Sequence, residues 1–163
     1  MSNESSGGFS HLNESGQPAM VDISGKLDTY RIAVAESRVY LPKPVRDQFQ
    51  GKDIQTRKGG VFQTAIIAGI MAAKKTPELI PLCHQLALTG VDIDFTVGES
   101  EVEIIATVRS TDRTGVEMEA LTAVSVAGLT LYDMIKAVDP AARIDDIRVL
   151  RKEGGKTGRW ARP

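Results

Sequence analysis

The chain has 163 residues, which is enough for one compact domain with a sizeable core. Its net charge at pH 7 is −1, from 20 basic and 21 acidic residues, so it lacks the basic excess typical of proteins that bind nucleic acids. Aromatic residues make up only 5% of the chain, which argues against a sheet that stacks RNA bases.

Cys83 is the single cysteine, so no disulfide can form within the chain, and two histidines are too few for a Cys/His zinc cluster. Both features are typical of a reducing cytoplasm, where we expect the protein to be. The longest apolar run, residues 65–73, is too short to cross a bilayer. Residues 1–8 lack the pattern of a signal peptide and are predicted to be a disordered tail, followed by a single domain over residues 9–163.

The domain is predicted to begin with a loop and a strand. Residues 9–28 are polar and rich in glycine, and we interpret them as an ordered loop. Residues 29–41 are predicted to form a strand that ends at Pro42 and Pro44, with a short helix over residues 43–50.

A helical region is predicted next. Residues 55–60 form a basic loop with two glycines, and residues 61–75, rich in alanine and isoleucine, form a helix. Thr76 and Pro77 predict the start of a further short helix, with threonine as the N-cap and proline at the first helical position.

Residues 90–109 have the clearest local pattern. Apolar and polar residues alternate from Val91 to Val97 and again from Val102 to Val108, with a polar turn from Gly98 between the two runs. This alternation predicts a β-hairpin with one buried face.

A long helix and a last strand are predicted after the hairpin. Thr114 and Glu117 have the spacing of a capping box that begins a helix, and Pro140 ends it at about Val138. Residues 144–151 are predicted to be a strand. The resulting order, β-α-β-β-α-β, predicts a ferredoxin-like α+β sandwich with two main helices on one face of an antiparallel sheet. Because this fold hosts many functions, the function must be argued from the site.

His84 lies in the loop before the hairpin, next to Cys83. Histidine is the usual acid–base catalyst near neutral pH, but a loop histidine without a catalytic role is about as consistent with the sequence. Cys83 is better interpreted as a small, buried apolar residue than as a nucleophile, since nothing in the surrounding sequence would activate its thiol.

Two acidic residues lie at the start of the long helix. Glu117 is the acid of the capping box, and Glu119 is placed to oppose the helix dipole. Both roles are structural, and Met118 between them is a typical core residue.

Asp133 and Lys136 lie three residues apart on the same helix and project from one face. An exposed ion pair is one interpretation. However, residues 127–135 are almost wholly apolar, so Asp133 is expected to be partly buried or at the lip of a pocket. Glu119 lies about four turns earlier, on a similar face of the helix.

Basic residues cluster in two loops. Lys58 is followed by Gly59-Gly60 and the start of a helix, an arrangement that can bind an anion. The other cluster lies in the tail and comprises Arg151, Lys152, Lys156 and Arg159.

The tail string Gly155-Lys156-Thr157 looks like the end of a P-loop. That motif requires a glycine five residues earlier, where this chain has Leu150, and a following helix for which too few residues remain. We therefore reject a P-loop.

Several strings resemble the molybdenum-cofactor biosynthesis protein C family, the cyclic pyranopterin monophosphate synthases. The most specific are Ile80-Pro-Leu-Cys-His and Gly115-Val-Glu-Met-Glu-Ala-Leu-Thr. The matching segments together cover nearly the whole chain after about residue 9: residues 11–26, 68–76, 79–84, 114–138 and 154–158.

The resemblance implies an enzyme that converts a cyclised dihydro-GTP triphosphate into cyclic pyranopterin monophosphate and releases pyrophosphate, an early step of molybdenum cofactor biosynthesis. It also implies a homo-oligomer, a hexamer built from dimers, and no redox cofactor; whether Mg²⁺ accompanies the triphosphate is left open. No nucleic-acid or membrane partner is implied. The alternatives are a catalytically idle relative that binds a pterin or nucleotide, and an RNA-binding module.

The resemblance also implies roles for particular residues. Asp133, Lys136 and Lys58 are expected to be catalytic. The residues expected to bind the substrate are Arg31, Leu82, Cys83, His84, Glu117, Met118, Glu119 and Lys152. Three positions depart from the usual family residues: Gly60 replaces an aspartate, Ile66 an arginine and Gln85 a proline.

The spacing of Lys58 and His84 predicts an active site between two subunits. The helix over residues 61–75 separates them and spans about 22 Å. The link from Lys75 to His84 could return along that distance only if it were nearly extended. If both residues contact one substrate, a two-fold partner must supply one of them.

Overall fold

The computed structural model describes residues 10–163, so the predicted tail over residues 1–8 lies outside the described part of the chain. The elements in chain order are β1 (Thr29–Tyr40), α1 (Lys43–Arg46), β2 (Phe49–Gln50), β3 (Asp53–Thr56), β4 (Gly59–Gly60), α2 (Val61–Lys74), α3 (Thr76–Leu79), β5 (Leu88–Val97), β6 (Glu101–Asp112), α4 (Glu117–Ile135), β7 (Arg143–Glu153) and β8 (Arg159–Ala161).

A five-stranded antiparallel sheet forms one layer, with the strand order β5-β6-β1-β7-β8. The long helices α2 and α4 pack against each other; α4 contacts β1, β6 and β7, and α2 contacts β5. Without the short edge strand β8, this is the ferredoxin-like order of a β-α-β-β-α-β chain. The predicted α+β class and topology are confirmed.

The core lies between the sheet and the two long helices. Ala33, Ala35 and Val39 of β1 are fully buried because alternate residues of the strand face the helices. Helices α2 and α4 approach closely at Gly69, where a β-carbon would come within 2.9 Å of the Ala123 carbonyl oxygen. Close packing at this point therefore requires glycine.

Helix α4 is long and apolar enough, by length and composition alone, to cross a bilayer. Half of its most apolar 18-residue window is buried inside the protein. Its fully buried residues include Ala120, Val124, Ala127 and Leu131, which face the sheet and α2 at helical spacing. Core packing therefore accounts for its apolar sequence.

The region between α1 and α2 differs from the prediction. The first helix ends at Arg46, and residues 49–60, expected to be partly helix and partly loop, form a small three-stranded sheet, β2-β3-β4. Gly51, at φ +71°, makes the tight turn between β2 and β3. The hydrophobic pattern of this segment does not predict the pairing of such short strands, because that pairing depends on backbone hydrogen bonds.

The predicted capping box of α4 is wrong. The helix begins at Glu117 with Val116 at the N-cap position and has no side-chain capping bond. The Glu117 carboxylate instead pairs with Lys152 at 2.8 Å, so it is not available to cap the helix. The helix also ends at Ile135, before Val138.

Thr76 is not the N-cap of α3, because it is the first residue of that helix and Lys75 precedes it as the cap. Its hydroxyl donates back to the Ala73 carbonyl at 3.0 Å. The predicted strands are all present: β1 ends one residue earlier than predicted, whereas β5, β6 and β7 are longer. A further strand, β8, lies in what was predicted to be tail.

Candidate active site

A cavity of about 260 Å³ lies between the loop after α3 and the first turn of α4. The structure places six of the eight predicted substrate-binding residues in its wall: Leu82, Cys83, His84, Glu117, Met118 and Glu119. The loop and the helix start are far apart in sequence, and the packing of α3 and α4 brings them together.

Glu119 is a buried carboxyl group in this cavity, with 3% of its surface exposed. Burial raises the pKa of Glu119 to about 7, with a smaller contribution from the Glu117 carboxylate, and the backbone N–H of Glu119 itself opposes the rise. A carboxyl group with such a pKa can both donate and accept a proton near neutral pH.

Cys83 lies half-buried next to Glu119. Burial, and then the charge of Glu119, raise the pKa of the Cys83 thiol above its usual range. The thiol therefore stays protonated near neutral pH and contributes shape and polarizability to the wall, as the sequence indicated.

The orientation of His84 is fixed by the N-terminal part of the chain. Its Nε2 lies 2.7 Å from the carbonyl oxygen of Val21. A carbonyl only accepts hydrogen bonds, so Nε2 carries a proton and donates it. His84 also lines a second, more open cavity of about 620 Å³, bounded by residues 20–24, Asp28 and Arg113.

We refer to residues 10–28 as the N-terminal strap. The Asn13 side chain accepts hydrogen bonds from the backbone of Ser15 and Gln17 and so closes a tight turn at its start. Further along, Asp28 pairs with Arg113 at 3.0 Å. These contacts hold the N-terminal strap against the site, where His11 lines the cavity together with His84.

His11 is a site residue that the sequence reasoning missed. It belongs to one of the strings that resemble the family, so a signal existed, but a polar residue near a chain end gives no indication of what it contacts. Thr114 and Gly115, which also line the cavity, were missed as individual site residues because Thr114 was interpreted as part of a helix cap.

Arg31 and Lys152, the other two predicted substrate-binding residues, line a neighbouring polar cavity of about 210 Å³. The two cavities share Thr114, Gly115 and Glu117 as a common wall. Lys152 pairs with Glu117 across that wall. All eight predicted substrate-binding residues thus lie in two adjoining cavities of one subunit.

The three predicted catalytic residues form a separate cluster. Asp133 and Lys136 pair at 2.7 Å, one helical turn apart. The hydrogen bond and charge of Lys136, and then the charge of Lys58, hold the pKa of Asp133 below its usual value. Lys58 therefore lies near the carboxylate, although it is distant in sequence.

The expected partial burial of Asp133 is wrong, because 59% of its side chain is exposed. Leu131 and Ile135 on either side of it face the core and are almost completely buried, so Asp133 projects from the opposite side of the helix. Within one subunit this cluster lies on an open surface at the end of α4.

The departure at Gly60 has a structural explanation. Asp53 Oδ1 accepts a hydrogen bond from the Phe62 backbone at 2.9 Å and so caps the start of α2. A β-carbon at Gly60 would come within 2.5 Å of Asp53 Oδ2. Asp53 thus fills the space that a side chain at position 60 would need and supplies its carboxylate to the helix start. Ile66 packs against the core, and nothing in the structure explains Gln85.

Known proteins are similar to this chain over nearly its whole length. A family model described as the MoaC family matches residues 20–155. The chain is 63% identical, over 96% of its length and 93% of the relative's, to a cyclic pyranopterin monophosphate synthase 2 of Mycobacterium tuberculosis. It is 56% identical to a cyclic pyranopterin monophosphate synthase of Streptomyces coelicolor, over 94% of its length and 89% of the relative's.

A more distant relative bears the same name. The chain is 48% identical to a cyclic pyranopterin monophosphate synthase of Peptoclostridium acidaminophilum, over 94% of its length and 97% of the relative's. Sequence identity at this level along both chains is higher than a shared fold alone would produce. The chain belongs to the MoaC family.

Proposed function

We propose that this protein is a cyclic pyranopterin monophosphate synthase, which converts a cyclised dihydro-GTP triphosphate into cyclic pyranopterin monophosphate and pyrophosphate. The names of relatives at 48% to 63% identity support this activity. The observation on the molecule that carries the proposal is the buried Glu119, whose pKa of about 7 suits proton transfer, in one cavity with His84.

The groups in the cavities suit the chemistry of the reaction. Rearranging a ribose-derived ring onto a pterin requires protons to be removed and returned at several atoms. Glu119 can exchange a proton near neutral pH, and His84 is held with Nε2 protonated. Forming a cyclic phosphate with pyrophosphate as the leaving group requires cations, and Arg31 and Lys152 line the adjoining cavity.

We propose further that Asp133, Lys136 and Lys58 complete the site from a neighbouring subunit. In one subunit they lie at the far end of α4 from Glu119, yet the family resemblance assigns both groups of residues to one substrate. The helix surface offers apolar side chains for self-association: Ile67, Met71 and Leu129 are each more than half exposed. These features support a homo-oligomer, which we propose to be a hexamer built from dimers.

The proposal includes no resident redox cofactor and leaves open an Mg²⁺ ion that accompanies the substrate triphosphate. We place the reaction in the cytoplasm, where a nucleotide-derived substrate would be available. Neither nucleic acid nor a membrane is part of the proposed function.

A turnover assay tests the proposal. The purified full-length protein is mixed with the cyclised dihydro-GTP triphosphate, and pyrophosphate and the pterin product are measured separately. We expect equal amounts of the two products, and none from an Asp133→Asn variant. A protein that binds the substrate but releases no pyrophosphate would instead be the catalytically idle relative, and the proposed activity would be wrong.

A further inference from the structure

Asp53 joins the turn that carries Lys58 to the start of helix α2. Residues 57 and 58 form the turn between β3 and β4, and Gly60 at the end of β4 is also the N-cap residue of α2. Gly60 has no side chain with which to cap the helix. The capping bond comes instead from Asp53 at the start of β3, whose Oδ1 accepts a hydrogen bond from the Phe62 N–H. This carboxylate therefore connects one strand of the hairpin to the helix that follows it.

The turn around Lys58 has a defined shape of its own. The Thr56 hydroxyl accepts a hydrogen bond from the Lys58 backbone N–H at 3.1 Å and donates one to the Gly59 carbonyl at 2.9 Å. Gly59 has a φ of +106°, which favours glycine. These contacts set the shape of the turn, whereas the directional bond from Asp53 sets its place relative to α2. Ile54 also packs into the core beside it, but apolar packing is non-directional.

Helix capping does not by itself explain why this carboxylate lies on β3. Asp53 Oδ2 is buried and has no hydrogen-bond partner among residues 10–163. Leaving a buried carboxylate oxygen unpaired costs free energy of folding. Gly60, at φ −68° and ψ 135°, has the extended backbone of an ordinary N-cap residue. With a small residue at position 53, an aspartate at position 60 could therefore cap α2 locally, without a bond that crosses from the strand.

The place of the turn determines how far Lys58 lies from Asp133. The charge of Lys58 contributes to the lowered pKa of the Asp133 carboxyl group, so the two side chains are close. They belong to different elements, since Lys58 is in the turn between β3 and β4 and Asp133 is on α4. Helix α2 packs against α4. Holding the turn against α2 therefore also fixes it relative to Asp133.

We propose that Asp53 is a positioning residue, which holds the turn containing Lys58 against α2 and so keeps Lys58 beside Asp133. Asp53 is not among the residues that line the two cavities of the candidate active site, so it acts through Lys58. The consequence for turnover rests on the proposed function, because that function makes Lys58 and Asp133 catalytic.

A titration of Asp133 followed by carboxyl ¹³C NMR tests the positioning role without substrate. The Lys58→Ala variant gives the rise in the Asp133 pKa that follows from losing the lysine. We expect Asp53→Ala to raise that pKa by about half of this rise or more, because Lys58 is no longer held in place. Removing a carboxylate acts by itself in the opposite direction, since a nearby negative charge raises the pKa of an acid. A rise therefore reports that Lys58 has moved.

Two further variants separate position from charge. Asp53→Asn keeps the oxygen that accepts from Phe62, so it should leave the Asp133 pKa close to that of wild type. The matched control is Asp47→Ala, which removes an exposed carboxylate paired with Lys43 of α1 and should have no effect. An Asp133 pKa that is unchanged or lowered in Asp53→Ala would overturn the positioning role.

A double variant guards against loss of folding. Combining Asp53→Ala with Gly60→Asp keeps the net charge and gives α2 a local N-cap, so its melting temperature should be near that of wild type. The new carboxylate makes no bond from β3 to the helix, so the Asp133 pKa should stay raised. If this folded variant titrates like wild type, Asp53 only caps the helix and the proposal is wrong.

Turnover separates the positioning role from the proposed activity. Asp53→Ala should lower kcat by about tenfold, and Asp53→Asn should stay within about threefold of wild type. A raised Asp133 pKa in Asp53→Ala, with no pterin product from wild type, would overturn the activity and leave the positioning role. Wild-type turnover together with an unchanged Asp133 pKa in Asp53→Ala would overturn the role and leave the activity.

Discussion

Glu119 and Asp133 lie on the same helix, α4, but fourteen residues apart, which is about 21 Å along its axis. Glu119 is buried in a cavity at the start of the helix, and Asp133 is exposed at its end beside Lys136. The two carboxyl groups are therefore in opposite electrostatic environments: burial raises the pKa of one, and a lysine lowers the pKa of the other. Two carboxyl groups with separated pKa values suit different roles in one reaction.

Removing either member of the Asp133–Lys136 pair should abolish turnover without unfolding the protein. Because both side chains are more than half exposed, Asp133→Asn and Lys136→Ala should leave the free energy of unfolding nearly unchanged. Product formation and thermal unfolding of the purified variants measure the two effects. A large fall in melting temperature would indicate a structural role for the pair, and wild-type turnover would exclude the catalytic one.

Lys58 should act mainly on the polyphosphate end of the substrate. It lies in an exposed turn close enough to Asp133 for its positive charge to lower the pKa of that carboxyl group. Since the lysine is a cation at the site, Lys58→Ala should weaken inhibition by pyrophosphate. Lys75→Ala is the matched control, since Lys75 is an exposed lysine at the other end of α2. Equal inhibition constants in the two variants would remove Lys58 from the site.

The raised pKa of Glu119 makes folding depend on pH in a defined direction. Between the ordinary value of 4.5 and about 7, the folded protein keeps a proton that the unfolded chain releases. The stability associated with the protonated group is complete below about pH 4.5 and is lost as the pH rises through about 7. From about pH 5.5 to about pH 8 the loss should be on the order of 2 kcal/mol.

Glu119→Gln tests this dependence and the catalytic role together. Because the glutamine cannot ionise, the free energy of unfolding of the variant, measured with urea, should fall less than that of wild type over the same pH range. Its kcat should be lower by about 10²-fold or more, because a proton-transfer group is lost. An identical pH dependence of stability in wild type and variant would show that Glu119 is not the titrating group.

His11 should contribute to substrate binding although it lies on the N-terminal strap. Because it lines the cavity with His84, His11→Ala should lower kcat/KM by about tenfold and leave melting temperature nearly unchanged. Glu14→Ala, on the same exposed turn, is the control. If both variants have the kinetics of wild type, the strap does not bring His11 to the substrate.

The sequence was most informative where one side of an element is buried. The alternation from Val91 to Val97 predicted β5, because burial follows the period of a strand. The composition of residues 61–75 predicted α2, and Pro140 predicted where α4 ends to within a few residues. The order of these elements was sufficient to predict the ferredoxin-like topology.

Features that depend on a distant partner could not be predicted from local patterns. Glu117 has the spacing of a capping residue, but Lys152, from another strand, takes its carboxylate. Glu119 and Asp133 lie on similar faces of α4, yet only the first is covered, because the loop containing His84 reaches only the start of the helix. The family resemblance identified these residues as site residues, but it did not indicate that they form two separate clusters.

The separation of Lys58 from His84 leads to the last prediction, that each active site combines two subunits. In one chain, Lys58 lies with Asp133 at the end of α4, and His84 lies with Glu119 at its start. Lys58→Ala subunits and His84→Ala subunits should each be inactive alone. When the two are mixed and exchanged by mild denaturation, about a quarter of the sites should receive both intact residues under random pairing.

A second mixture provides the matched control for this experiment. Lys58 and Asp133 belong to the same cluster of one chain, so Lys58→Ala mixed with Asp133→Asn should give no site with both residues intact. Activity should therefore return in the first mixture and not in the second, with mass spectrometry confirming mixed oligomers in both. Recovery in neither mixture would place Lys58 and His84 at the same site of one subunit, or exclude one of them from catalysis. Recovery in the second would mean that Lys58 and Asp133 reach the substrate from different subunits, and their assignment to one cluster of a single chain would be wrong.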